Sequence, residues 1–179
     1  MRLIHRARTR IVAAMAVCAA AALLPTVAFA SPARHASAAP PRCREARTLV
    51  WLALAPEGAA GIIYYPVEFT NLGAHACSLY GFPGVSAINK SGHQIGPPAS
   101  RAAFSHQPVT LGPGQTAFAR LGITQPGIIG GCRAATAAGL RVYPPSQKSA
   151  TRVESFTFPA CTNKVFMYIY PVQAGIGVP

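Results

Sequence analysis

The sequence predicts an all-β chain, an immunoglobulin-like two-sheet β-sandwich of about eight strands with two disulfides, and three observations predict it. Short apolar segments are divided by Gly, Pro, Asn and Ser, and no 3.6-residue apolar stripe persists for three turns, so the period is that of strands. Four cysteines follow an export signal, an even number bound for an oxidising compartment. Of 179 residues, those left after the leader make one domain of ordinary size.

The leader comes first. Arg2, Arg6, Arg8 and Arg10 precede an apolar run from Ile11 to Leu24, Pro25 breaks that run, and Ala28-Phe29-Ala30 offers the small-x-small motif read by signal peptidase. Residues 1–30 therefore read as a signal peptide. An uncleaved anchor needs ~20 apolar residues, which Pro25 and the cleavage motif oppose, so no stable membrane insertion is expected after cleavage. Cys18 follows Val17 within the run, which does not suit lipidation, and Thr9 separates Arg8 from Arg10, so the paired arginines of folded-protein export are missing. Residues 31–42 have three prolines and no large apolar side chain, the composition of a disordered Pro/Ala-rich tether. Residues 43–179 are expected to form a single β-sandwich domain.

Within that domain Thr48 to Leu54 is the first expected strand. In the second, Ile63, Tyr65, Val67 and Phe69 alternate with Tyr64, Pro66, Glu68 and Thr70, which assigns the first set to the core and the second to the outward face. Pro66 lacks a ladder donor, which predicts an edge strand. Further strands are expected over Ala76 to Leu79, Val85 to Asn89, Thr116 to Leu121, Leu140 to Tyr143, Arg152 to Phe156 and Val165 to Tyr170. Pro83-Gly84 and Pro113-Gly114 have type II turn chemistry, and Ser91-Gly92 suits a hairpin. Ala134 to Ala138 has the composition of one short helical turn, and the Gly/Pro-rich stretches Gly96 to Pro108 and Gly122 to Gly131 are expected to be surface loops.

With Cys18 removed in the leader, Cys43, Cys77, Cys132 and Cys161 admit three pairings. Cys43 with Cys77 and Cys132 with Cys161 is preferred, since each bridge then closes a loop of roughly thirty residues within its own half, for ~3 to 4 kcal/mol each by chain entropy.

These residues also amount to a resemblance. Asn71-x-Gly73, then Cys77-x-Leu79-x-Gly81-Phe82-Pro83-Gly84-Val85, then Val109-Thr110-Leu111-x-Pro113-Gly114 with Ala117, then Cys132, Leu140-x-Val142-x-Pro144-Pro145 and Cys161 resemble the actinobacterial secreted family known as domain of unknown function 4232. The likeness spans Cys43 to Pro171. It implies a secreted or envelope-attached β-sandwich with two disulfides, in which Gly81, Pro83, Gly84, Pro113 and Gly114 are turn positions, and it implies no activity. Asn89-Lys90-Ser91 departs from the acidic residues usual in the family, which removes the carboxylates an ion would need.

Composition excludes several chemistries. The acidic side chains are Glu45, Glu57, Glu68 and Glu154, with no aspartate, so an Asp-dependent triad, an EF-hand and a two-aspartate acid/base pair are all ruled out. His35, His75, His93 and His106 show no metal-ligand spacing, paired cysteines cannot ligate, and no nucleotide fingerprint is present, so neither a metal nor an organic cofactor is expected. The Cys161 to Met167 interval lacks the histidine of a blue-copper site. There is no Gly-x-Ser-x-Gly elbow, and Ser105-His106 is only an adjacency.

Loss of Arg2, Arg6, Arg8 and Arg10 leaves twelve basic side chains against four glutamates, a balance of +8. Such a charge favours anionic partners. Arg42, Arg44 and Arg47 form the one dense basic group and are not interleaved with aromatics, so no nucleic-acid partner is expected. Trp51, Tyr64, Tyr65, Tyr80, Tyr143, Tyr168 and Tyr170 offer rings for stacking, with Trp51 and Tyr64 the chosen binding candidates. The expectation is a non-enzymatic, secreted or cell-envelope binding or structural module, partnered by anionic envelope polymers or a secreted protein. The alternatives are a small secreted hydrolase, or a protease inhibitor presenting the loop Gly127 to Cys132.

Overall fold

The computed structural model describes residues 38–53 and 56–177, with only the backbone for Arg152, Glu154 and Ser155. The expected signal peptide, His35, most of the tether and the Leu54 end of the first strand lie outside the described residues.

The strands are β1 Thr48–Leu52, β2 Glu57–Ala59, β3 Ile62–Asn71, β4 Cys77–Leu79, β5 Gly84–Ile88, β6 Gln94–Ile95, β7 Ser100–Arg101, β8 Val109–Leu111, β9 Thr116–Thr124, β10 Ala134–Tyr143, β11 Thr151–Cys161, β12 Met167–Ile169 and β13 Gln173–Ala174. All eight expected strands are present, and the short β2, β6, β7, β8 and β13 add to them. A seven-stranded sheet runs β1-β3-β9-β12-β7, with β2 beside β3 and β13 beside β9. A four-stranded sheet runs β11-β10-β5-β6, and β4 pairs with β8.

Alternation decides what each sheet buries. In β1, Thr48, Val50 and Leu52 are buried while Leu49 and Trp51 are exposed. Val67 and Phe69 of β3, opposite Ala119 and Ala117 of β9, face inward, and small alanines beside large partners let the second sheet approach. Val85, Ala87, Leu140, Val142, Phe156 and Phe158 of that sheet belong to the same core. Tyr65 meets Phe156 edge-on at 4.7 Å between ring centres, and Phe156 stacks on Phe158 at 4.9 Å, so aromatic contact joins the two layers. The fold is thus all-β and sandwich-like.

The disulfides are Cys43–Cys77 and Cys132–Cys161, spanning 34 and 29 residues. The first ties the entering chain to β4, and the second ties the approach to β10 to the end of β11.

Several local expectations are corrected. Pro66 is not on an edge, for β3 lies between β1 and β9; its carbonyl accepts from Ala53 N beyond the end of β1, so its donor-less nitrogen faces the break between β1 and β2. Gly84 begins β5 and does not take the positive φ of a type II turn, which is found at Gly81 (90°) instead. Gly114 does take it (72°), with Gln115 N donating to Gly112 O. Gly92 (φ 76°) closes the β5–β6 hairpin, where Asn89 Oδ1 accepts from Ser91 N and His93 N. Ala134 to Ala138 is the start of β10, because pairing with β11 outweighs alanine's helical preference. Gly122 to Thr124 extends β9, and β7 forms inside the expected Gly96 to Pro108 loop. Pro40 to Arg42, assigned to the tether, are held to β4: Ser78 N donates to Pro41 O (2.8 Å), Ser78 Oγ donates to Pro40 O (3.1 Å), and Arg42 bridges Ser78.

Two substitutions test this arrangement by chemical denaturation. Cys132→Ala should cost ~2 to 5 kcal/mol through the lost loop constraint, and Phe69→Ala ~3 to 5 kcal/mol through the cavity left between the sheets. A loss below about 1 kcal/mol in either would contradict the assigned role.

Candidate functional site

The outward face of the seven-stranded sheet follows from its register. Tyr64 and Tyr168 flank Gly122 from either side, Pro66 pairs with Arg120, Glu68 with Phe118 and Trp51, and Thr70 with Thr116 and Leu49, so these residues share one face.

At one end this face is open. A side chain on Gly122 would begin 2.9 Å from the Tyr64 ring, so the glycine lets that ring lie across the sheet. The Arg120 guanidinium sits 4.4 Å from the Tyr64 ring centre and 5.0 Å from that of Tyr170. Phe104 reaches in from the loop after β7, 5.0 Å from Tyr170, and Tyr64 and Tyr170 meet edge-on at 6.3 Å. Arg120, Phe104 and Tyr168 are exposed and the other two rings half-exposed. Burial, then Tyr170, push the Tyr64 phenol up, and Arg120 offsets part of that. Glu57, opposite Tyr64 on β2, is the carboxylate placed beside the group. A second group adjoins it through the backbone, since Val172 N donates to Gly81 O: His106 lies between Tyr80 (4.7 Å) and Phe82 (5.2 Å), and Arg101 stands 5.6 Å from Phe82.

The middle of the face is closed. After β13 the chain turns at Gly175, and Gly177 lies against Pro66 and Phe118 while its N–H donates to Glu68 Oε1 at 2.9 Å. Glu68, expected as a solvated surface glutamate, is wholly buried beneath this strap, and its Oε2 has no hydrogen-bond partner among the described residues. Its outward orientation was legible in the alternation, its burial was not, because the covering segment is over a hundred positions away (109). Burial raises the Glu68 carboxyl above its ordinary range, and the Gly177 N–H offsets part of that rise.

The two binding candidates share the face but not the site. Tyr64 is in the aromatic group, whereas Trp51 lies opposite Glu68, four residues away along β3, or roughly 13 Å. The Trp51 Nε1–H donates to Thr70 Oγ1 at 3.2 Å, and Trp51 is 36% exposed. Arg120 and Phe104 were not singled out by sequence, and only the β3–β9 register reveals the first of them. Gly81 and Gly114 take positive φ, Pro113 precedes Gly114 in its turn, Gly84 begins β5, and Pro83 is buried just before that strand. Glu45 lies in a 3-10 turn, Glu57 is exposed, and the Glu154 side chain lies outside the described residues. Among the described residues no three His, Cys, Asp or Glu side chains gather as a metal site. The Gly127 to Cys132 loop begins inside a 3-10 turn at Pro126–Ile128, and the exposed Ile128 side chain lies over Gly61.

Residues 43–167 match the model of the family described as Domain of unknown function (DUF4232). The chain belongs to this family. The DUF4232 match opens on Cys43 and closes on Met167, so it covers both disulfides, Tyr64, Phe104 and Arg120, while Tyr168, Tyr170 and the strap lie beyond it. No curated protein and no solved structure matches the chain.

Glu68 sets a pH dependence. Because the folded-state value is raised, the stability from its neutral form is present below the unfolded value near ~4.3 and is lost as pH rises through the folded value. Melting temperature should therefore fall with rising pH across that window in the native protein, and Glu68→Gln should flatten the fall. A native melting temperature that rises across the window, or an identical profile in Glu68→Gln, would contradict the burial of an unpaired carboxylate oxygen.

Proposed function

We propose that this chain is a secreted, non-enzymatic binding module that holds anionic glycan polymers of the cell envelope on the outward face of its larger sheet. The supporting observation is the Arg120 guanidinium bracketed by the Tyr64 and Tyr170 rings, with Phe104 and Tyr168 exposed around it. Sugar rings stack on aromatic faces, and an acidic substituent on the same sugar meets the guanidinium, so the group addresses both parts of such a ligand.

Export, redox compartment and charge fit this reading. The N-terminal sequence reads as an export signal, and the two disulfides suit an oxidising compartment. Among the described residues no helix is long and apolar enough to cross a membrane. A balance of +8 after leader removal draws the domain toward polyanions, an attraction screened over ~8 Å at physiological ionic strength.

Retention of the purified chain on isolated envelope at two ionic strengths separates charge from stacking. Retention should persist in part at moderate salt, and Tyr64→Ala or Arg120→Gln should weaken that residue of binding about tenfold, as expected for an anchor worth ~1.4 kcal/mol. Complete loss of native binding at moderate salt would reduce the interaction to non-specific charge. No retention at low salt would overturn the envelope assignment and favour a soluble protein partner.

A further inference from the structure

At the opposite end of β3 from Tyr64, roughly 23 Å away at ~3.3 Å per residue, lies a cavity of about 530 Å³. Its walls include Arg42, Arg44, Arg47 and His75, with Asn71 and Pro41, and among the described residues no carboxylate lines it. The dense arginine group of the sequence is thus wrapped around one hollow. The wall surface is predominantly apolar and three exposed arginines border it, so a ligand there meets carbon surface within reach of their flexible guanidinium-bearing side chains.

The frame of the cavity is fixed by its backbone. Arg42 is bridged to Ser78, and the adjacent Cys43 is bonded to Cys77. The Arg44 carbonyl accepts from Thr48 Oγ1 (2.9 Å) and Arg47 N (3.0 Å), and the Arg47 carbonyl accepts from Leu72 N (2.8 Å). On the other wall the buried Asn71 amide donates to the carbonyls of His75, Leu111 and Gly112 at 2.9, 3.0 and 3.2 Å, while its Oδ1 accepts from Gly73 N at 2.8 Å. Asn71 is therefore saturated by the fold and holds the loop in place, leaving ligand recognition to the four cationic or protonatable side chains. Backbones ordered before binding lower the entropy cost of convergence.

We infer that this cavity is a binding site for an organophosphate, a phosphate group carried on an apolar body. Three guanidinium forks present more donors than the two oxygens of one carboxylate accept, whereas a phosphate has three or four oxygens to receive them. The carbon walls accommodate the organic portion, and the volume lies within the range of small-molecule sites. The same three-oxygen phosphate chemistry is supplied by a soluble phosphomonoester and by a lipid headgroup that ends in a phosphomonoester. This site is separate from the Tyr64 and Arg120 face and stands or falls independently of the glycan reading.

Titration calorimetry of the purified chain with phenyl phosphate, inorganic phosphate and benzoate, together with co-sedimentation on phosphatidic acid and phosphatidylcholine vesicles, tests the inference. Phenyl phosphate should bind more tightly than inorganic phosphate, which lacks the apolar body, and than benzoate, which lacks the extra oxygens. Arg44→Gln/Arg47→Gln should weaken it at least about tenfold, while Lys90→Gln/Lys164→Gln, an equal loss of charge elsewhere, should change it less than about twofold. Binding of phosphatidic acid vesicles without phenyl phosphate, lost in the same arginine variant, assigns the phosphate to a lipid. Should the glutamine variant be less stable, Arg44→Lys/Arg47→Lys retains charge and stem but not the fork, and should still bind several-fold more weakly. Equal affinity for benzoate, equal weakening in the two glutamine variants, native affinity in the lysine variant, or no binding of phosphate ligand or vesicle overturns the proposal.

Discussion

The ladder between β3 and β9 is the constraint on which the rest depends. It runs from Ile62 opposite Thr124 to Thr70 opposite Thr116, and a slip of one residue would turn the inward set of one strand to the face opposite its partner's. In the observed register Phe69 and Val67 meet Ala117 and Ala119 in the core, while Tyr64, Pro66 and Glu68 point the other way. The same alternation that joins the sheets also places Arg120 beside the Tyr64 ring. Core and candidate site are two faces of one pairing, so a change that disturbed the register would damage both.

That outward face is divided into two environments by the C-terminal segment. Where the strap lies, Pro66 and Glu68 are buried and the sheet acquires a partial third layer. Beyond it, Tyr64, Arg120 and Tyr168 remain accessible. A glutamate at the centre of a sheet face would ordinarily be solvated, and its burial with one unpartnered oxygen is a local cost that packing of Gly177 against Pro66 and Phe118 must offset. Trp51 is separated from the aromatic group by this covered strip, so two rings on the same face serve different surroundings.

The disulfides act at the margins of the sheets. Cys43–Cys77 anchors the arginine-bearing entry segment to β4, and Gln147 Nε2 donates to the Cys43 carbonyl, so the β10–β11 connection is drawn to the same point. Cys132–Cys161 fixes the end of the long β10–β11 pair, whose register shifts between Ala137 and Gly139. Each bridge closes a local loop, and the long-range organisation is left to strand pairing.

Strand period, turn chemistry at Pro113-Gly114 and the Ser91-Gly92 hairpin were determined by the sequence alone, because each rests on local backbone preference; of three possible cysteine pairings the sequence favoured by short loop closure the one observed. The same locality explains the failures: Ala134 to Ala138 has helical composition yet lies in β10, its first four residues paired with Phe158 to Cys161, and Pro66 carries an edge signature yet sits one strand inside, opposite a break in the flanking edge. Only the tertiary structure decided that Glu68 is roofed, that Arg120 lies between Tyr64 and Tyr170, and that Arg42, Arg44 and Arg47 enclose a cavity with His75. These juxtapositions join segments tens of residues apart, and no residue-level pattern encodes which distant strand supplies the neighbour until the sheets have chosen their register.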